Sequence, residues 1–111
     1  MAAELIRGHL DLLVLSVVAR GARHGYAIAE QLRLTSEGDF DIPEGTLYPA
    51  LYRLEAGSLL TSEWTVVDGR RRRMYRLTRA GKRELARRTR EWTSFADAVQ
   101  RVVSKPARSQ M

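Results

Sequence analysis

Apolar residues recur at helical spacing through the first twenty positions of the chain. Leu5, Ile6, Leu10, Leu13, Val14, Val17 and Val18 form one stripe and predict a helix from about Ala3 to Ala19. Leu12 and Leu15 fall outside that stripe and give the helix a second apolar face. A helix apolar on two sides needs two covers. One is the chain's own core. The other is either deeper burial in the same domain, for which a domain this small has little interior, or a second subunit.

The stretch from Arg20 to Gly25 reads as a break, with Gly21 placed to follow the end of the first helix. Ile28, Ala29 and Leu32 then mark the inward face of a second helix over about Tyr26 to Leu34. Thr35 to Asp41 is a polar loop. Leu47, Leu51 and Leu54, at i, i+4 and i+7, define a third helix that Gly57 closes. Two starts are open for it. Pro43 suits a first helical position but leaves Pro49 inside to kink the helix, whereas Thr46 as N-cap brings Pro49 into the tolerant first turn. From Leu60 to Val66 the pattern switches to alternation, with Trp64, Thr65 and Val66, and predicts a strand. Met74 to Thr78 is its partner, with Arg70 to Arg73 at or near the hairpin tip. Thr78 is a candidate N-cap for a long helix from Arg79 to about Val103, whose apolar positions are Leu85, Trp92, Phe95, Ala96, Val99, Val102 and Val103.

The fold class is therefore mainly α with a two-stranded β wing, in the order helix, helix, helix, strand, strand, long helix. Residues 1–78 are assigned to a winged helix-turn-helix unit, 79–104 to a C-terminal dimerisation helix and 105–111 to a frayed tail. Nothing left in the chain covers the apolar stripe of the last helix. Together with the spare face of the first, it predicts a homodimer through Leu5, Leu12, Leu85, Trp92, Ala96, Val99 and Val103.

Charge sharpens this picture. The 111 residues carry a formal net charge of +6. The segment from Asp68 to Arg90 holds 11 of the 19 Lys and Arg residues but two of the 13 acids. A basic balance of this kind points to a polyanionic partner, nucleic acid first and anionic lipid second. A solvated basic face is the blander reading, but four adjacent arginines on a hairpin repel one another without a counter-ion. The third helix spends its outer face on Tyr48, Tyr52 and Arg53, and a basic hairpin follows. That is the layout of a winged helix-turn-helix DNA binder.

Other classes find little support. There is no cysteine, hence no disulfide and no thiolate site, which fits a reducing, cytoplasmic setting. No apolar run approaches the roughly 18 residues of a membrane span, and the first residues lack the basic start of a secretory signal. Two histidines give no metal-ligand spacing, and no nucleophile-histidine-acid pattern or phosphate loop is present. Neither an enzyme nor a cofactor is expected.

Several motifs resemble the PadR family of bacterial transcriptional regulators. They are His24-Gly25-Tyr26, the run from Gly45 to Glu55, Gly57-Ser58-Leu59-Leu60, Trp64, Gly69-Arg70-Arg71-Arg72, and the run from Tyr75 to Gly81. Their order and spacing span most of residues 5 to 85. The resemblance implies a winged-helix homodimer that binds operator DNA and usually represses, in the compact form with one C-terminal helix. On that footing Thr46, Tyr48, Tyr52 and Arg53 are the major-groove set. The alternatives are an N-cap role for Thr46, packing of Tyr52 against the wing, and a phosphate or surface ion pair for Arg53. Tyr26 is either a phosphate contact or a core aromatic. Two or three of Arg70, Arg71, Arg72 and Arg73 reach DNA, since alternate strand residues face opposite ways, while Tyr75 and Leu77 pack inward. Trp92, with Phe95, either lines an effector site at the dimer centre, as in some compact members, or only packs the dimer.

The expected partners are double-stranded DNA with a pseudo-palindromic operator, a second copy of the chain, and a small aromatic or drug-like effector. The rival from another class is a winged-helix protein-interaction module whose basic wing docks an acidic partner.

Overall fold

A computed structural model describes residues 2–21 and 23–106, with side chains from position 6 onward. Four helices and three short strands follow in the order α1 (Ala2–Val18), β1 (Arg23–His24), α2 (Gly25–Thr35), α3 (Glu44–Ala56), β2 (Leu60–Val67), β3 (Arg70–Leu77) and α4 (Arg79–Ser104). The strands form one antiparallel sheet in the order β1-β3-β2.

The core lies where α1, α2 and α3 meet the base of the sheet. Leu10, Val14, Leu15, Val17 and Val18 of α1 pack with Ile28 and Leu32, with Leu47, Ala50, Leu51 and Leu54 of α3, and with Leu60 and Tyr75. Leu15 is fully buried there. The second face expected of α1 therefore shrinks: its stripe is broad enough to take Leu15 into the core, and Leu12 remains half-buried at the edge.

α3 begins at Glu44, with Pro43 in the cap position and no side-chain cap bond, so Thr46 is an exposed first-turn residue rather than the N-cap. Pro49 lies inside the helix. Its missing N–H leaves the Gly45 carbonyl without an intrahelical donor, which costs little on an exposed face. At the other end the N–H groups of Ser58 and Leu59 donate to the Glu55 and Leu54 carbonyls. Gly57 is the C-cap, but Ser58, at φ 64°, makes the left-handed step.

That closure is clamped to α4. Thr78 caps α4 by accepting from the Gly81 N–H at 2.9 Å. Its hydroxyl donates to the Ser58 carbonyl at 2.7 Å, and its N–H donates to the Leu59 carbonyl at 3.1 Å. Leu85, expected at a dimer interface, packs instead on the domain's own core. Beyond it several apolar residues of α4 are bare: Phe95, Val102 and Val103 are 60%, 79% and 72% exposed.

Candidate nucleic-acid interface

At about 100° per residue, α3 turns Leu47, Ala50, Leu51 and Leu54 into the core and leaves Gly45, Pro49, Tyr52 and Ala56 outermost. This outer ridge is mostly small, so another surface can approach its backbone closely. Tyr52 stands out from it at 77% exposed, at the rim of a groove it shares with the wing. The remaining side chains divide between two flanks. Tyr48 faces the wing, where it lines a shallow groove of about 360 Å³ with Tyr52, Glu55, Arg73 and Tyr75. Thr46 and Arg53 face α1, and Arg53 donates to Asp11 there at 2.5 Å. Arg53 therefore has an acidic partner on another helix, a contact its sequence neighbourhood does not signal.

The start of α2 is built against Tyr48. A Cβ at Gly25 would lie 2.4 Å from the Tyr48 hydroxyl oxygen and 2.6 Å from two of its ring carbons. A glycine is what lets the ring sit over this helix end. His24 pairs with Met74 in the sheet and caps α2, its Nδ1 accepting from the Ala27 N–H at 3.3 Å. Burial, and next the Arg72 guanidinium, push the His24 pKa below its ordinary value, with partial opposition from Asp68. The neutral imidazole that results is the form able to accept. Tyr26 follows in the first turn, 64% exposed, and is not a core aromatic. The two-residue strand β1 was not expected, because it is too short to show a periodicity and exists only by pairing with β3.

The hairpin turns on Asp68 and Gly69 alone, at φ 52° and 76°, the two positive values of a type I′ turn. Val67 pairs with Arg70, so the arginines are not at the tip: β3 begins at Arg70 and contains all four. Cross-strand pairing puts Trp64, Val66, Arg71 and Arg73 on one face and Arg70 and Arg72 on the other. Arg71 and Arg73 flank Trp64, with guanidinium carbons 4.8 and 5.4 Å from its ring centroid. The aromatic face relieves the repulsion between the two cations. Arg73 is further tied to Ser62 at 2.8 Å and to Glu55 at 3.6 Å. Among the described residues, Arg70, Arg71 and Arg72 have no ion-pair partner. Tyr75 is buried and Leu77 packs on the core, as their alternation requires.

A second feature lies between α1 and α4, where His9 and Leu12 meet Trp92 and Phe95 in an open groove of about 390 Å³. His9 meets Trp92 edge to face at 5.0 Å, and Phe95 lies 6.3 Å from it. Arg87, Arg88 and Glu91 form the polar wall. Glu84 accepts from both Arg87 and Arg88, and those bonds hold its pKa down to about 2. Of the residues expected at a dimer interface, Ala96 is half-buried, Trp92 and Val99 are about two-fifths exposed, and Val103 is bare. The Leu5 side chain lies outside the described residues, as do positions 107–111 of the expected tail. Among the described residues, no group of His, Asp and Glu could hold a metal ion, and no helix is long and apolar enough to cross a membrane.

The sequence pattern of the PadR-like transcriptional regulators matches residues 14–87, which takes in α2, α3, the hairpin and the start of α4. The chain belongs to the PadR-like family. A transcriptional regulator of Mycobacterium tuberculosis is 44% identical over 82 residues, 74% of each chain. The crystal structure of a PadR family regulator from Eggerthella lenta is 37% identical, with a TM-score of 0.79 over 96% of this chain and 91% of that one. A regulator from Clostridium thermocellum superposes at a TM-score of 0.84 with 29% identity, covering 94% and 99% of the two chains. The PadR-like family comprises transcriptional regulators and not enzymes, so this chain acts in DNA-binding regulation. Sequence reasoning missed three residues of the PadR-like unit. Gly25 sat inside a motif noted for its neighbours. Trp64 marks a strand and belongs to the motifs, but nothing in its neighbourhood signals that it stacks between Arg71 and Arg73. Asp11 carried one usable signal: it is the sole acid among the apolar residues of α1 from Leu10 to Val18.

Proposed function

We propose that this PadR-like chain is a homodimeric repressor whose α3 enters the major groove while the β2–β3 wing grips the flanking backbone. The observation carrying the reading is the wing. Arg70, Arg71 and Arg72 project without acidic partners from a hairpin that shares a groove with Tyr48 and Tyr52 of α3. Phosphate contacts set register and orientation, and side chains at base edges supply sequence choice. Thr46, Tyr48 and Tyr52 are the candidates for base edges, Tyr26 and the wing arginines for phosphates, and Arg53 for either.

Dimerisation through α1 and α4 covers Trp92, Phe95, Val99 and Val103, and a two-fold axis calls for pseudo-palindromic half-sites about 10 bp apart or a multiple of that. The α1/α4 groove then lies at the dimer centre. A small aromatic or drug-like effector there would shift the population between two spacings of the reading helices.

The test is a fluorescence-anisotropy titration of the full chain with the duplex from upstream of its own gene, against a scrambled duplex, at several salt concentrations. With roughly 6 to 8 phosphate contacts per dimer, the slope of log K against log salt should lie near −5 to −7. Preference for the native duplex with that slope supports the reading. A flat salt response refutes it. Equal binding to both duplexes refutes that duplex as the operator.

A further inference from the structure

Asp11 is placed between two guanidiniums that come from different helices. Its Oδ1 accepts from Nη2 of Arg53 on α3 at 2.5 Å, and its Oδ2 lies 3.6 Å from Nη1 of Arg88 on α4. The Asp11 side chain is 20% exposed, whereas that of Arg53 is 59% exposed. The carboxylate is thus fixed and sheltered while the arginine it holds stands in solvent, on the α1-facing flank of the proposed reading helix. Carboxylate and phosphate oxygens compete for the same guanidinium donors, and in similar geometry.

We propose that Asp11 is an internal competitor for DNA phosphate at Arg53. It occupies the guanidinium when no DNA is bound, and yields it only to a backbone docked closely along α3. A loosely held duplex leaves the Arg53–Asp11 pair intact and gains no contact from it. The carboxylate therefore lowers affinity for arbitrary DNA relative to the operator. Arg88 extends the device to α4. It shares Asp11 while donating from Nε to Glu84 at 2.6 Å, and it lines the groove that holds Trp92. Drawing Arg88 away would leave Asp11 to Arg53 alone. This inference rests on the DNA-binding reading given above.

The experiment uses the full chain and one mixed-sequence duplex, with anisotropy measured across a salt series. The variants are Asp11→Asn, Asp11→Ser, Arg53→Gln, the Asp11→Asn/Arg53→Gln pair, and Asp97→Asn. Asp97 is exposed on α4, so its variant makes the same charge change away from Arg53. Asp11→Asn should bind the duplex about fivefold more tightly than the wild type, with the salt slope steeper by roughly 0.9 per subunit, the signature of one further cation on a phosphate. Asp97→Asn should bind less tightly than Asp11→Asn and keep the wild-type slope. In the Arg53→Gln background the Asp11 substitution should lose its effect. If Asp11→Asn unfolds, Asp11→Ser carries the same expectation. Gains no larger than those of Asp97→Asn, weaker binding, or an equal gain without Arg53 would each overturn the role of Asp11. Absence of salt-sensitive binding by the wild type would instead overturn the DNA-binding reading.

Discussion

The contact that joins the winged unit to α4 can be tested by adding a single methyl group. A Cβ built on Gly81 lies 2.1 Å from the carbonyl oxygen of Leu59 and 3.0 Å from its carbonyl carbon. A tolerable carbon–oxygen contact is about 3.3 Å, so Gly81→Ala forces the two backbones apart by roughly 1 Å. Both neighbours are backbone, and no side chain can swing aside. The same carbonyl accepts from the Thr78 N–H, and the Thr78 hydroxyl holds the Ser58 carbonyl next to it. Overpacking costs about 1–3 kcal/mol, and two weakened hydrogen bonds add about 1 kcal/mol each. Alanine's better helix propensity returns at most about 1 kcal/mol. A net loss of about 2–4 kcal/mol is expected, which for a domain of this size lowers Tm by roughly 10–20 °C. Thermal unfolding followed by circular dichroism, at fixed protein concentration because the Tm of the proposed dimer would depend on it, measures the shift. An alanine variant that melts within two degrees of the wild type, or above it, would refute the reasoning.

Four further outcomes are expected. Gly25→Ala should displace the Tyr48 ring, which is free to swing outward, so operator affinity should fall about tenfold, or about 1.4 kcal/mol, with little change in Tm; unchanged affinity would detach Tyr48 from recognition. His24 has a folded pKa below its unfolded value, so its contribution to stability is complete above pH 6.5 and is lost as pH falls through the folded pKa; denaturant unfolding at pH 8 and 5.5 should show a larger loss for the wild type than for His24→Asn, whose cap does not titrate. Arg72→Gln should flatten the salt dependence of DNA binding by roughly 0.9 per subunit, and Arg73→Gln by less, because Arg73 is already tied to Glu55; the reverse order would contradict the assignment of the wing faces. Val99→Asp should turn the proposed dimer into monomers in sedimentation equilibrium without lowering helix content, and a variant that stays dimeric would place the interface elsewhere.

The first three helices were legible because each buries a stripe wide enough to leave a period in the sequence, and α4 because its apolar positions keep that period although most of them are exposed. Thr78 announced α4 because a cap residue acts on its own next turn. What failed to show was set by partners distant in sequence. The extent of β3 follows from the two-residue turn at Asp68 and Gly69, which forces the residue after it into register. A run of four arginines looks more like a loop than a strand. Leu15 was assigned to a spare face because the width of the core is a property of three helices together. The start of α3 could not be chosen from sequence, since Pro43 and Thr46 both satisfy local rules and tertiary packing decides. At the candidate interface, Tyr48 and Tyr52 were visible as polar aromatics on a helical outer face, whereas periodicity left Tyr26 open between an outward and a core position. The Arg53–Asp11 pair spans 42 positions and left only an isolated acid in an apolar run as its trace.

On the DNA-binding reading proposed above, affinity and discrimination fall on separate elements of this fold. α3 offers a ridge of Gly45, Pro49 and Ala56, with Tyr52 its one prominent side chain, and the only arginine of α3 is held by Asp11. Little on that helix attracts a phosphate at long range. The wing is the opposite: Arg70, Arg71 and Arg72 have no ion-pair partner among the described residues, but a two-stranded ribbon beside the proposed reading helix meets backbone more readily than base edges. Charge attraction is nearly indifferent to sequence, so a wing of this strength would hold any duplex, and any selection must come from how closely α3 can settle. A smooth, nearly uncharged ridge serves that purpose, because close approach then depends on groove shape and on the fit of two or three aromatic side chains. On this argument Gly45→Lys should tighten binding to scrambled duplex, through its added charge, while weakening operator binding by keeping α3 from settling closely. The ratio of the two affinities, rather than either one, is the quantity that would report it.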